Sequence, residues 1–251
     1  SGLAAGTYTV TITDAHGCTA VAQTNVSGLP GPAINAVTTN DVACYGGTSG
    51  GAQVSCSNGS APYDYLWSSG DTTATVNGLA AGSYTVTVTD FYGCADQKGF
   101  SILQPAPLSL QAAPVTMVNC NGGNDGSAEA LVSGGISPYT FQWSNGDLNS
   151  LATQLSAGSY SVTITDANGC STVAVTQITE PTSLLVSNTQ TTNASCYGLS
   201  DGSAIFASSG GTAPYQYLWS NGVTTAAANG LAAGNYVVTV TDQHGCTELA
   251  S

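Results

Sequence analysis

The chain has 251 residues and a formal charge of −13, from 14 acidic residues against a single Lys or Arg. Charged residues make up only 6% of it, far below the roughly 25% of ordinary globular domains. A nucleic-acid-binding surface needs a basic footprint that Lys98 alone cannot supply, disorder through charge repulsion is excluded by the 42% hydrophobic content, and no run of about 18 apolar residues exists to span a membrane.

The chain opens inside a repeat, where Gly2-Leu3-Ala4-Ala5-Gly6 leads to Tyr8 and then to Cys18. Cys18, Cys94, Cys170 and Cys246 are spaced 76 residues apart, and Cys44, Cys120 and Cys196 form a second series with the same step. Trp67, Trp143 and Trp219 keep it, as do Tyr8, Tyr84, Tyr160 and Tyr236. Copies this regular make the repeat the organising feature of the chain. There is no initiator Met or signal peptide, and both ends fall inside a copy, so the chain reads as a window on a longer array.

Pro-containing joints recur at Leu29-Pro30-Gly31-Pro32, Gln104-Pro105-Ala106-Pro107 and Glu180-Pro181-Thr182-Ser183. Such joints limit the angles between neighbours. They divide the chain into the C-terminal part of a truncated module (1–29), two complete modules (30–105 and 106–181) and a third (182–251) that lacks most of its last strand.

Within a module the pattern is that of strands. After the first Cys, Ala128, Ala130 and Val132 share one face, as do Ala204 and Phe206. Tyr139, Phe141 and Trp143 alternate next, matched by Tyr215, Tyr217 and Trp219. In Tyr84-Thr85-Val86-Thr87-Val88-Thr89-Asp90 the Tyr and Val face inward and the Thr outward, and Tyr160, Val162 and Ile164 repeat this. That alternation belongs to antiparallel sheets with one solvated face. Turn signals such as Asn121-Gly122-Gly123, Ser144-Asn145-Gly146 and Ala167-Asn168-Gly169 separate the strands. The expected fold is all-β: tandem small immunoglobulin-like β-sandwiches of 76-residue period, with the Trp on the third strand. The Leu-Ala-Ala-Gly-x-Tyr stretch is similar to a tyrosine corner.

Sandwiches this small are commonly reinforced by disulfides. Two connectivities are open. Cys44 with Cys94, Cys120 with Cys170 and Cys196 with Cys246 would each close a module at spacing 50. Cys18 with Cys44, Cys94 with Cys120 and Cys170 with Cys196 would staple the joints at spacing 26. Counting four strands between the two Cys turns puts them at one end of the sandwich and favours the first. Either implies an oxidising, extracytoplasmic setting. Cys56, whose periodic counterparts are Val132 and Ser208, reads as a buried thiol acting as a small hydrophobe.

No catalytic constellation is expected. Polar residues recur with the period instead of converging once, and His16 and His244 share their phase with Tyr92 and Asn168, as turn residues do. No phosphate loop or zinc spacing occurs, and no cofactor is expected. Calcium is the alternative weighed. If the two Cys turns of a module adjoined, Asp125 with Asp166, and Asp201 with Asp242, would supply hard oxygen ligands. The favoured reading has each Asp close its own turn. Asn25-Val26-Ser27, Asn58-Gly59-Ser60 and Asn193-Ala194-Ser195 match the glycosylation triplet, a weak signal by itself.

The run Cys120-Asn121-Gly122-Gly123-Asn124-Asp125-Gly126-Ser127, then Gly134-Gly135-Ile136-Ser137-Pro138-Tyr139, Trp143-Ser144-Asn145-Gly146 and the stretch from Ala157-Gly158-Ser159-Tyr160 to Asn168-Gly169-Cys170, resembles the SprB-type repeat of Bacteroidetes surface proteins, gliding adhesins among them. The first complete module departs from the motif at Thr48-Ser49-Gly50-Gly51, and the third at Tyr197 and Leu199. The resemblance implies a secreted or cell-surface, array-forming protein. The expected function is a non-enzymatic segment of a long extracellular fibre or adhesin stalk. Its partners would be neighbouring modules and, in a filament, identical chains. The alternative is a module that binds surface polysaccharide through exposed aromatics, with Tyr45, Tyr92 and Tyr197 as the ligand candidates.

Overall fold

The computed structural model describes residues 2–251, so that Ser1 of the truncated module lies outside the described residues. Residues up to Ala106 form one compact unit and Pro107–Ser251 a second. Regular structure among the described residues is entirely β.

The first unit holds a hairpin, β1 (Gly6–Thr13) and β2 (Thr19–Val26), and a six-stranded sandwich: β3 (Pro32–Asn40), β4 (Gly50–Asn58), β5 (Asp64–Trp67), β6 (Thr75–Leu79), β7 (Gly82–Thr89) and β8 (Ala95–Ile102). The sheets have the orders β3-β4-β6 and β5-β7-β8. The second unit repeats the sandwich twice. The first copy is β9 (Ser109–Thr116), β10 (Gly126–Ser133), β11 (Thr140–Trp143), β12 (Leu151–Leu155), β13 (Gly158–Thr165) and β14 (Ser171–Ile178). The second is β15 (Leu185–Thr192), β16 (Gly202–Ser209), β17 (Gln216–Trp219), β18 (Ala227–Leu231), β19 (Val238–Thr241) and β20 (Thr247–Ala250). Every pairing is antiparallel.

The alternation read from the sequence becomes the core. Val162 and Ile164 of β13 are fully buried against Ala128, Ala130, Trp143, Ala152, Leu155 and Ile178, while Ser159, near the start of the same strand, faces water. Burying one such aliphatic side chain contributes about 1.5–3 kcal/mol. Each Trp sits on the third strand and its indole N–H finds a carbonyl: Trp67 donates to Thr73 (2.7 Å), Trp143 to Asn149 (2.9 Å) and Trp219 to Thr225 (2.8 Å). The tyrosine corner is present, with Tyr84 Oη donating to Ala80 O at 3.0 Å and Tyr160 Oη to Ser156 O at 3.1 Å. Gly126 permits close packing of strands, since a Cβ there would stand 2.8 Å from both Ile178 Cγ2 and Leu155 O.

Two regions depart from the periodic core. Val10 and Ile12 of the β1–β2 hairpin are exposed, because no second sheet packs on the hairpin among the described residues. In the last sandwich β20 has four residues where β8 and β14 have eight. The space that Ile102 and Ile178 fill in the other two is open there, as a groove of about 770 Å³ lined by Phe206, Trp219, Leu231, Tyr236 and Ser251.

The path of the chain corrects the expected disulfides. β10 runs away from the Cys120 turn, and β11 returns in the opposite sheet, with Thr140 opposite Thr165 and Trp143 opposite Val162. β12 then continues in that same direction beside β10, from Leu151 opposite Glu129 to Leu155 opposite Gly126. Two short strands thus share one pass, and three passes separate the two Cys turns where four strands had been counted. Cys120 and Cys170 therefore stand at opposite ends of their sandwich. Neither expected connectivity forms: Cys18, Cys94 and Cys196 are free, and Cys120 is bonded to Cys246. Cys44 and Cys170 are also disulfide-bonded. The closures Cys44–Cys94, Cys120–Cys170 and Cys196–Cys246 are excluded by this pattern, as are the spacing-26 staples.

Candidate functional site

Each last turn, between the fifth and sixth strands, is built on an Asp. Asp166 Oδ1 accepts hydrogen bonds from Asn168 N and Cys170 N (2.9 Å each), and Oδ2 accepts one from Ile136 N in the adjacent Gly-Gly loop (3.0 Å). Asp242 repeats this with His244 N, Cys246 N and Thr212 N (2.9, 2.9 and 2.8 Å), and Asp90 with Tyr92 N, Cys94 N and Ser60 N (3.0, 2.9 and 3.1 Å). Desolvation raises the pKa of Asp166 and Asp242, but the backbone donors, led by Ile136 and Thr212, outweigh it and hold both carboxyls below the ordinary carboxylate value.

The first turn, between the first and second strands, carries its own acid. Asp125 accepts from Asn119 N (3.0 Å) and Asn119 Nδ2 (2.5 Å). The Asn119 backbone donor is the main cause of its lowered pKa; desolvation opposes it, and the charge of His244 adds to the lowering. Asp201 accepts from Ser195 Oγ and N, and these bonds lower its pKa in the same way. In the first sandwich Ser49 stands at this phase and accepts from Ala43 N at 2.8 Å, so the departure from the Asp motif keeps the turn closed.

The calcium expectation required the two turns of one module to adjoin. Asp125 and Asp166, like Asp201 and Asp242, belong to turns at opposite ends of their sandwiches and do not converge. Among the described residues no three His, Cys, Asp or Glu are grouped so as to hold a metal ion.

What does converge is a joint between modules. In the second unit the last strand β14 delivers the chain to the first-turn end, where Val118 N donates to Thr179 O (3.1 Å). Glu180 then caps the turn: its Oε2 accepts from Gly122 N (2.6 Å) and its Oε1 from Asn121 Nδ2 (3.1 Å). Asn121 also donates to Pro181 O (3.1 Å) and accepts from Ser183 Oγ (2.6 Å). The chain enters the next sandwich over its Gly-Gly loop, with Gly211 N donating to Thr182 O (2.8 Å). There the last turn of the next module meets the first turn of the previous one. His244 Nδ1 lies 3.3 Å from Asn119 O, and Cys246 is bonded to Cys120 with a Cα–Cα distance of 5.6 Å. The first module prepares the same turn, since Gly46 N donates to Gln104 Oε1 (2.8 Å) at the phase of Glu180.

Against this frame the aromatic candidates take their places. Tyr45 and Tyr92 are exposed at opposite ends of the first sandwich and form no shared platform. Tyr197 is fully exposed on the first turn of the last sandwich. Tyr45 and Tyr197 hold the phase of Asn121, and Tyr92 that of His244, both of them joint residues in the second unit. Cys56 is free and half-buried, packed on the core beside Tyr65. Burial is the main cause that raises the Tyr65 pKa, with Cys56 contributing. The last sandwich replaces this pair with Ser208 donating to Tyr217 Oη (3.0 Å), and the middle one with Val132 and Phe141. The phenol thus occurs where its neighbour can hydrogen-bond.

Asn119, Asn121, Glu180 and Ser183 were not singled out from the sequence. One signal existed: Glu180 and Gln104 keep one phase, next to a Pro in each joint.

The family described as SprB repeat matches three times, at residues 36–72, 112–148 and 188–224, each starting 76 residues after the last. The chain is an array of SprB-type repeats. Comparison with curated proteins finds no match. Among solved structures, the N-terminal eight Ig domains of Down Syndrome Cell Adhesion Molecule align at 12% identity and TM-score 0.39, over 98% of this chain and 39% of that one. The chain thus spans about two fifths of that structure's length. A tetra-tandem repeat from the extending region of a large adhesion protein aligns at 15% identity and TM-score 0.28, over 99% and 81%. The Bacteroides ovatus glucan-locus protein SGBP-B aligns at 12% identity and TM-score 0.21, over 86% and 65%. Similarity at this level carries no argument about function. No helix among the described residues is long and apolar enough to cross a membrane.

Proposed function

We propose that this chain is a non-enzymatic, load-bearing repeat segment of an extracellular fibre or surface adhesin stalk. The observation that carries the reading is the joint. Cys120, Asn119 and Asn121 of one module are spent on Cys246, His244 and Ser183 at the entrance and last turn of the next. The turns most able to present polar groups to a ligand instead fix the neighbouring module. The SprB repeats support a place on the cell surface or outside the cell, and disulfides suit an oxidising compartment. Stacked repeats with nearest-neighbour contacts build quasi-one-dimensional objects.

Electron microscopy of the native material tests the reading. A thin fibre with an axial period of one module is the expected image. Compact particles without axial repeat contradict it.

The polysaccharide reading is favoured by one observation. Phe91 and Tyr92 are both exposed and meet edge to face, with ring centroids 5.2 Å apart. Titrating the chain with neutral polysaccharides, with Tyr92→Ala as control, separates the two. Binding that the substitution abolishes supports the alternative, and no binding supports the stalk.

A further inference from the structure

Apart from Cys56 on β4, the described cysteines fall into two classes by place. The first-turn series is Cys44, Cys120 and Cys196, and the last-turn series of the three six-stranded sandwiches is Cys94, Cys170 and Cys246. Four of these six are disulfide-bonded, and Cys94 and Cys196 are not. Cys196 lies in the first turn of the last sandwich, and Cys94 in the last turn of the first complete one. The environment built around Cys120 recurs at Cys196: the turn is closed by an acid six residues after its partner (Asp201 on Ser195, Asp125 on Asn119). The environment of Cys246 recurs at Cys94, whose N–H is held by Asp90 as that of Cys246 is held by Asp242. Both thiols are exposed.

We propose that Cys196 and Cys94 are half-sites of further staples of the Cys120–Cys246 kind. Cys196 takes the last-turn Cys of a SprB-type repeat packed on its end of the last sandwich. Cys94 takes the first-turn Cys of a repeat packed at its end of the first. In each case two thiols lose two protons and two electrons to a disulfide-bearing oxidant, which leaves as a dithiol, and one S–S bond forms. The occupant is a repeat of this same type because the Cys120–Cys246 bridge joins the first turn of one such repeat to the last turn of the next.

The consequence is mechanical. The bridge spans 126 residues, more than one period, so successive bridges overlap. A last-turn Cys and the next first-turn Cys, such as Cys170 and Cys196, are 26 residues apart. In a continuous array a pull would pass through bridges and these 26-residue links, leaving most of the polypeptide outside the covalent load path.

The test lengthens the chain. Residues 176–251 are repeated after Ser251, which completes the last sandwich and supplies one more. The added copy carries C196S, so that one Cys196 exists, and T247S as a mass tag beside its last-turn Cys. The protein is folded in a glutathione disulfide buffer, its free thiols are alkylated, and it is digested without reduction. The expected result is a Cys196 peptide joined to the tagged peptide, with Cys196 alkylated in the parent chain and at least tenfold less so in the extended one. The Cys120–Cys246 bridge reports in the same digest that the modules are in register. Cys196 left alkylated, or joined to Cys246 of its own module, overturns the proposal, and so does absence of the Cys120–Cys246 bridge. The outcome does not depend on whether the array serves as a stalk or binds polysaccharide.

Discussion

Cys120 and Cys246 belong to different sandwiches, 126 residues apart, and are joined to each other. The bond closes a loop that holds most of one module and nearly all of the next, so neither sandwich is cross-linked internally by it. Module stability then rests on the core, and the disulfide fixes neighbours. When the chain is pulled from its ends, the closed loop hides roughly 430 Å of contour at about 3.3–3.6 Å per residue. With Cys44 and Cys170 replaced by Ser, so that no other bonded Cys contributes, single-molecule stretching should show that much extra extension after addition of a reductant, or in Cys246→Ser without it. Equal contour lengths in the two states would place the bridge elsewhere.

Acid should destabilise the sandwiches through their turn carboxylates. Asp125, Asp166, Asp201 and Asp242 all have lowered pKa values in the folded chain. A group depressed on folding contributes fully above its unfolded value, about 3.9 for Asp, and loses that contribution as pH falls through the folded value. The melting temperature should therefore be flat from pH 7 to about 5 and fall below about 4. Asp166→Asn should flatten the acid limb. A fall that begins near pH 6 would contradict the assignment to the turn carboxylates.

Much of this was legible in the sequence. The 76-residue period, the alternation in Tyr160–Ile164, the third-strand Trp143 and the tyrosine corner at Tyr160 all lie in local pattern, which side-chain burial obeys directly. The disulfide partners were not legible, because they depend on the direction of β11 and β12. A four-residue and a five-residue strand read as two passes but run as one, since the turn at 144–150 carries the chain to the other sheet without reversing it. That single change of parity moves Cys170 to the far end of its module and separates Asp125 from Asp166. The joint contacts of Asn121, Glu180 and His244 were hidden for the same reason, as side chains of ordinary turns acquire a role only when two ends meet.

Calcium removal should leave the fold unchanged. The Asp166 carboxylate already takes three backbone N–H donors, which satisfies it without a cation. Melting with excess chelator and with millimolar calcium should agree within about 1 °C. A shift of several degrees would restore a cation to the turns.

Core substitutions should act within one module. Trp143→Ala removes a buried ring and its bond to Asn149, at a cost of about 3–5 kcal/mol. Gly126→Ala drives a Cβ into Ile178 and Leu155, and overpacking of this kind costs about 1–3 kcal/mol. Calorimetry should show the transition of the middle sandwich shifted down while the other sandwiches keep theirs. A uniform shift of the whole chain would mean the modules unfold as one unit.

The most direct measurement is disulfide mapping of the folded chain: alkylation of free thiols, digestion without reduction, and mass spectrometry of the joined peptides. The expected map joins Cys120 to Cys246 and leaves Cys94 and Cys196 alkylated. Cys120 joined to Cys170 or to Cys94 would contradict it, returning the bridge to a single module or to spacing 26.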